Sequence, residues 1–370
     1  MPCAGETFPA TTVRLRPGLA PLWRDDRTVQ VGLDPRRALV ASGISPAPAQ
    51  PAPGAEAGGT QLLAPGALAT WLDQAGVLDS SPPAADPRPE FDPATTARFA
   101  PESAVIGLTH PHPGTTAAVL AGRRRARALV LGGGRVGAAV AHLLAASGLG
   151  RVMIEHDGIV QAADACPGGL SPADMGLRYS AAVTALTVRA LPPALPAGPP
   201  DIAVLAHDRP GPYPPRSWRG LRAQGVTLLP VEVREGTVVV GPMSIAGRPG
   251  CPACLDRHRT DRDPCWPALS AQLALARGWL ASTAGVVQVW AAAAAAAAEL
   301  LEHLDGRSLS GDGAATEPGF AGWSAATGPV TARGYSLELD PPGWSWHRRF
   351  WGPHPECSCS SQGGAPDQGG

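Results

Sequence analysis

The stretch that decides the fold reads Ala126-Arg127-Ala128-Leu129-Val130-Leu131-Gly132-Gly133-Gly134-Arg135-Val136-Gly137 and resumes at Arg151-Val152-Met153-Ile154-Glu155-His156-Asp157. The apolar run Leu129 to Leu131 enters a Gly-x-Gly-x-x-Gly turn at Gly132, Gly134 and Gly137. An Ala-rich amphipathic stretch, Val136 to Ser147, follows, and a second apolar run ends at Glu155. The order strand, glycine turn, helix, strand, acid predicts the first half of a nucleotide-binding α/β fold. Glycines there let the backbone turn tightly and approach a phosphate, and the helix N-terminus offers N–H donors and a positive dipole end. Glu155 lies 21 residues beyond Gly134, where an acid can accept hydrogen bonds from ribose hydroxyls. In a chain with 45 Gly the pattern alone carries little; its place between strand and helix carries the reading.

Composition bounds the partners. A net charge of −1 and a pI near 6.8 leave no basic footprint for nucleic acid. The one basic run, Arg123-Arg124-Arg125-Ala126-Arg127, reads as a solvated entry to the first strand. The sequence contains neither Lys nor Asn, so arginine supplies all the fixed positive charge. The N-terminus has no basic and apolar signal pattern, and the uncharged run Gly278 to Ala298 leans on alanine with Ser282, Thr283, Gly285 and Gln288 inside it. A buried helix, no membrane partner and a cytoplasmic location follow as expectations, with the cysteines as metal ligands or thiols rather than disulfides.

Along the chain, short strand-like pieces (Thr12 to Leu15, Thr28 to Leu33, Ala38 to Val40) precede a helically spaced stretch, Leu62 to Leu78. Residues 1–80 are therefore expected to form a small α+β module of winged-helix size, in which Thr28 to Leu33 reads either as an edge strand that an extended peptide could pair with or as an ordinary core strand. Residues 81–125, which include His110 and His112, read as a Pro-rich linker, and Ser45 to Gly59 as a Pro/Ala/Gly-rich insertion. The nucleotide-type domain is placed at 126–305. It holds a helix from Met175 to Leu191, a buried strand from Asp201 to Asp208 and a helix-like crossover from Trp218 to Gly225. A strand pair turning at Glu235-Gly236 and a closing helix from Ala281 to Leu304 complete it. Residues 306–370 read as loop and a Cys-containing tail.

Cys251-Pro252-Ala253-Cys254 and Cys357-Ser358-Cys359 are two short-spaced thiol pairs, and together they predict a tetrathiolate zinc site that clamps the tail to the domain. Cys265, His258 and His354 stand as alternative ligands. Asp208 ends a strand at the edge where such folds bind ligands, so it is either a Mg²⁺ ligand or a turn and capping residue; Asp157 is a similar candidate. Cys166, in a Cys-Pro-Gly-Gly loop, is a reactive or a buried thiol.

The ordered set of Gly132, Gly134 and Gly137, Glu155-His156-Asp157, Met175-Gly176, Asp208, the Cys251/Cys254 pair and the Ala-rich closing helix resembles the ThiF/MoeB-type adenylyltransferases, relatives of the ubiquitin-activating enzymes. The resemblance covers about 126–305 and the tail cysteines. It implies a Rossmann-like ThiF-type fold with ATP at the glycine turn, ribose on Glu155, Mg²⁺ on Asp208 and Arg135 beside the phosphates. The activity it implies is adenylation of the C-terminal carboxylate of a small carrier protein or precursor peptide, by a homodimer. The 21–33 region and the ending His354 to Cys359 resemble leader-recognising members of azole-peptide, YcaO-associated biosynthesis, which implies a cyclodehydratase partner. Two departures are plain: the family's Asn-x-x-Arg-Gln falls near Ala163–Pro167 without Asn or Arg, and its ATP-contacting lysine falls near Arg178-Tyr179. A second expectation therefore stands beside the enzyme, a catalytically degenerate scaffold that presents a leader peptide. An NAD-dependent oxidoreductase shares the glycine turn but leaves the cysteine pairs without a role.

Overall fold

The computed structural model describes residues 10–35, 38–43, 61–79, 91–110, 114–208, 211, 213–276, 282–310 and 329–359. The chain divides into two compact units, residues 1–121 and 122–370. The first opens with β1 (Ala10–Arg14), β2 (Pro21–Trp23), β3 (Thr28–Val31), β4 (Leu39–Ser42) and β5 (Gln61–Pro65), followed by α1 (Gly66–Gln74). β1 pairs antiparallel with β5, and β2, β3 and β4 form an antiparallel sheet. The alternation in Thr28-Val29-Gln30-Val31 buries both valines beside Leu15, Leu68 and Leu72, the period-2 pattern of a half-buried strand. β3 is the middle strand of its sheet, paired with β2 on one side and β4 on the other. Of the two readings of this run the core strand is the one observed, and the edge strand is corrected: Val29 to Val31 already pair on both sides. Ser45 to Gly59 lies outside the described residues.

The 81–125 stretch, expected as a linker, carries helices wherever it is described: α2 (Pro93–Arg98), α3 (Ala100–Thr109) and α4 (Thr115–Arg125). Pro93 and Pro101 stand in the first turns of their helices, where a missing N–H costs nothing, so these prolines start helices rather than break them. Asp92 caps α2, accepting from the Thr95 amide at 3.0 Å. The basic run also departs from its reading. Arg123 is buried at the end of α4 and forms a two-pronged pair with Asp305 at 2.8 and 2.6 Å.

The second unit is built on β6 (Arg127–Leu131), α5 (Gly134–Ala146), β7 (Arg151–Glu155), α6 (Tyr179–Ala190), β8 (Ile202–His207), α7 (Pro215–Ala223), β9 (Thr227–Arg234) and β10 (Thr237–Val240). Three helices follow, α8 (Pro252–Arg262), α9 (Trp266–Ala276) and α10 (Val286–Ser310), then the hairpin of β11 (Tyr335–Asp340) and β12 (Ser345–Phe350). The seven-stranded sheet runs β12-β11-β10-β9-β8-β6-β7, with β6 to β9 parallel and β10 to β12 antiparallel. This is the mixed α/β, Rossmann-like architecture that the glycine turn predicts. Ile202 to Ala206 are buried without alternation, as a parallel strand covered on both faces requires. α10 lays Ala292, Ala293, Ala296 and Leu300 against Val136, Val140 and Leu144 of α5, and the small alanines let the two helices lie close. The segment expected as loop and tail from 306 instead continues α10 to Ser310 and then adds two strands to the sheet. Among the described residues no helix is long and apolar enough to cross a membrane.

Candidate nucleotide and metal sites

The parallel strands β6, β7 and β8 end side by side, with Leu131 in register with both Glu155 and Leu205. The chain turns at Gly132, whose N–H donates to the Glu155 carbonyl at 3.1 Å. Gly132 and Gly134 hold φ of +114° and +74°, the left-handed region, and a Cβ at Gly134 would overlap the Asp208 carboxylate. Glu155 and Asp157 are exposed at the same edge, where a ribose would be reached.

Asp208, one residue past β8, is buried and accepts from the amides of Arg135 at 2.7 Å and Val136 at 3.0 Å. No side chain at the N-cap, Gly133, performs that task. The positive end of α5, where a phosphate would be drawn, thus already holds an internal carboxylate. Of the two sequence readings of Asp208, the capping one describes the geometry seen. The Arg135 guanidinium reaches away along the edge, donating to the carbonyls of Ala163 at 2.6 Å and Ala284 at 3.3 Å.

Tyr179, which with Arg178 marks the place where the resemblance expects a lysine, is buried beneath the turn, and its hydroxyl donates to the Gly134 carbonyl. Burial, reinforced by the Asp208 charge, pushes its phenol far above the usual range, so it stays a neutral donor. The His156 ring meets Tyr179 edge-on at 4.8 Å and lies against Gly133; burial lowers its pKa and favours the neutral ring. Sequence reasoning missed both residues as parts of the site. A histidine between two acids and a tyrosine opening a helix carry no periodic or spacing signal. Cys166 is buried, and burial raises its thiol pKa, which leaves it the inert alternative.

The cysteine pairs meet on the other side of the unit. Cys251 caps α8, Cys254 lies in its first turn, and Cys357 and Cys359 follow β12. All four are buried, with Sγ–Sγ distances of 4.0 Å (Cys251–Cys254), 3.6 Å (Cys251–Cys357) and 3.4 Å (Cys254–Cys359). Four sulfurs around a tetrahedral zinc at about 2.3 Å stand roughly 3.8 Å apart, so the donor set fits that ion. The Cys251 thiol and the His354 amide donate to Cys254 and lower its pKa, which favours the thiolate form that a metal takes. Of the alternative ligands, Cys265 is exposed and outside the group. His354 accepts from the Glu356 amide at Nδ1 (3.1 Å) and donates from Nε2 to Asp261 (2.8 Å), while His258 donates to the Gly352 carbonyl (2.8 Å). These rings latch the tail onto α8. His110 donates its amide to Ile106 at the end of α3, and His112 lies outside the described residues.

No family model matches the sequence, and no curated protein matches it. Solved structures do. The chain is similar to E. coli MccB crystallised with MccA-N7isoAsn, at 12% identity and a TM-score of 0.57, over 94% of this chain and 99% of that one. It is similar to the same protein crystallised with ATP, at 13% identity and a TM-score of 0.58 over the same shares. PaaA matches at 11% identity and a TM-score of 0.55, over 77% of this chain and 91% of its own. At these identities the likeness is one of fold, and it extends across both units.

Proposed function

We propose that this protein binds ATP at the Gly132–Gly137 turn and adenylates the carboxylate of a precursor peptide or small carrier protein in a peptide-modifying pathway. The observation that carries the reading is the convergence of the glycine turn, Glu155, Asp157 and Asp208 on one sheet edge. It stands in a fold similar to that of MccB, a protein crystallised with ATP and with the peptide MccA. In the proposed step a carboxylate oxygen of the substrate attacks the α-phosphorus, an acyl-adenylate forms and pyrophosphate leaves. Glu155 would hold the ribose, Asp157 would stand at the same edge beside Asp208 as a further cofactor-binding acid, and the backbone of Gly132, Gly134 and Gly137 would admit the phosphates. Asp208 would have to release the α5 amides to take a Mg²⁺, and Arg135 would supply charge beside the phosphates. Four thiolates, Cys251, Cys254, Cys357 and Cys359, hold one structural zinc in this reading. The N-terminal unit recognises the peptide, the assembly is a homodimer, and the compartment is the cytoplasm.

A specific observation favours a second reading, a leader-binding scaffold that serves a cyclodehydratase. The Asp208 carboxylate fills the phosphate end of α5, and Tyr179 and Cys166 stand where the resemblance expects a lysine and an arginine. Calorimetry with Mg·ATP, followed by pyrophosphate release with a precursor peptide from the neighbouring genes, separates the two. The adenylating reading expects ATP binding, peptide-dependent pyrophosphate, and loss of both in Gly134→Ala, whose Cβ meets Asp208. Peptide binding by a wild-type protein that takes up no ATP at millimolar concentration selects the scaffold.

A further inference from the structure

β12 is the last strand of the seven-stranded sheet, and no strand covers its outer side among the described residues. All six of its residues, Ser345 to Phe350, are exposed. Trp351 donates its amide to the Gly334 carbonyl at 2.7 Å, so by strand alternation the amides of Arg349 and His347 face β11. The N–H and C=O groups of Trp346, Arg348 and Phe350 face outward. Such an edge is a template for another strand. Its side chains are aromatic and basic: Trp346 and Phe350 are 46% and 58% exposed, and Arg348 stands between them with no carboxylate paired to it among the described residues. His347 and Arg349 point from the opposite face toward Asp340 and Glu338 of β11. At Phe350 the strand runs into a cavity of about 230 Å³, whose walls include Met243, Leu255, Phe350, Trp351 and Pro353, with Arg333 at its lining.

We infer that β12 is a docking edge for an acidic, extended peptide segment, which adds as an eighth strand and places a bulky apolar side chain in the cavity beyond Phe350. Charge selects this occupant. A second copy paired antiparallel about Arg348 would set that arginine beside its own counterpart within one strand spacing, and close like charges oppose pairing. A segment with Glu or Asp opposite Arg348 answers that charge, and its apolar residues two positions to either side meet Trp346 and Phe350 on the same face. Six residues of strand span about 20 Å, enough for a short linear segment and too little for a broad interface. The edge belongs to the second unit alone and stands whether or not the glycine turn binds ATP.

The test uses the full-length protein and a fluorescein-labelled decapeptide, Ser-Val-Ser-Glu-Ser-Val-Ser-Glu-Ser-Phe, whose one face carries Val, Glu and Phe, with its Lys-for-Glu counterpart as control. Anisotropy should give an affinity in the micromolar range for the acidic peptide, weakening as salt rises, and none for the basic one. Arg348→Glu should weaken binding by at least about tenfold through charge. Arg348→Pro should do the same by removing an outward N–H that the fold does not use. Circular dichroism of both variants checks that the fold is kept, and Arg348→Gln should lose less than Arg348→Glu. Equal binding of the basic peptide, no binding of the acidic one at 100-fold its expected dissociation constant, or full binding by both variants overturns the inference. So does a wild-type dimer in sedimentation that Arg348→Pro dissolves, which would assign the edge to a second copy.

Discussion

A half-buried histidine shows how a single residue couples this fold to pH. His303 of α10 sits beneath the sheet with Nε2 3.2 Å from the Thr227 hydroxyl, and burial, with Arg307 and Arg248 adding repulsion, holds its pKa down to about 4. In the unfolded chain the same ring titrates near 6.5, so between those values the unfolded state binds the extra proton. Stability is therefore complete above about pH 6.5 and declines as pH falls toward 4, by up to about 3 kcal/mol from this group. Urea unfolding of wild type and His303→Gln at pH 7.5 and 4.5 checks it: the substitution should remove most of that pH dependence. The floor of the glycine turn is neutral for the same reason, since Tyr179 is buried and His156 half-buried where a charge would lose water.

Elements fasten to one another here through a few buried polar contacts set among alanine-rich packing. α4 is tied to the C-terminal half of α10 by the Arg123–Asp305 pair, both side chains less than a tenth exposed, and Arg123 also donates to the Ser147 carbonyl at the end of α5. Removing one partner leaves the other buried and uncompensated, so Arg123→Ala should cost about 3–5 kcal/mol in chemical unfolding. The double variant Arg123→Ala/Asp305→Ala should cost clearly less than the sum of the singles, because the two report one interaction. Arg123 reads in sequence as part of a basic, solvated run; only the arrival of Asp305, 182 positions later, makes it a core residue. Glu299 plays a parallel part, accepting from the Thr331 amide and hydroxyl at 2.8 and 2.7 Å and so fixing the approach to β11.

At the scale of the whole molecule, the zinc proposed for Cys251, Cys254, Cys357 and Cys359 would join the start of α8 to the end of the described chain. It would thereby hold the β11–β12 hairpin on the sheet. Elemental analysis should find one zinc per chain, and Cys357→Ser should lose it. Chelation should lower Tm by roughly 10 °C, a loss of a few kcal/mol in a unit of this size. An unchanged Tm on complete removal of metal would reduce the four thiols to packing. The latch of His354 on Asp261 and of His258 on Gly352 lies next to the cluster, so the hairpin should loosen as one piece when the metal leaves.

What the sequence determined by itself is local and periodic. The glycine turn between an apolar run and an alanine-rich helix needed a backbone that only glycine tolerates, and positive φ at Gly132 and Gly134 meets that need. The unbroken apolar run before Asp208 became a strand covered on both faces, and the valines of Thr28 to Val31 alternated as a half-buried strand must. The paired cysteines were legible as a group because thiols at short spacing have few other uses. Tertiary structure alone decided the rest. β3 became a central strand because β2 and β4 arrived on both sides, which no pattern within β3 records. The described part of the stretch before 126 became helical, with Pro93 and Pro101 in first turns, and the tail joined the sheet because β10 offered it an edge. Whether Asp208 faces a metal or caps α5 depended on where two distant segments meet, and a carboxylate's partner is fixed by proximity in space, which sequence spacing does not encode.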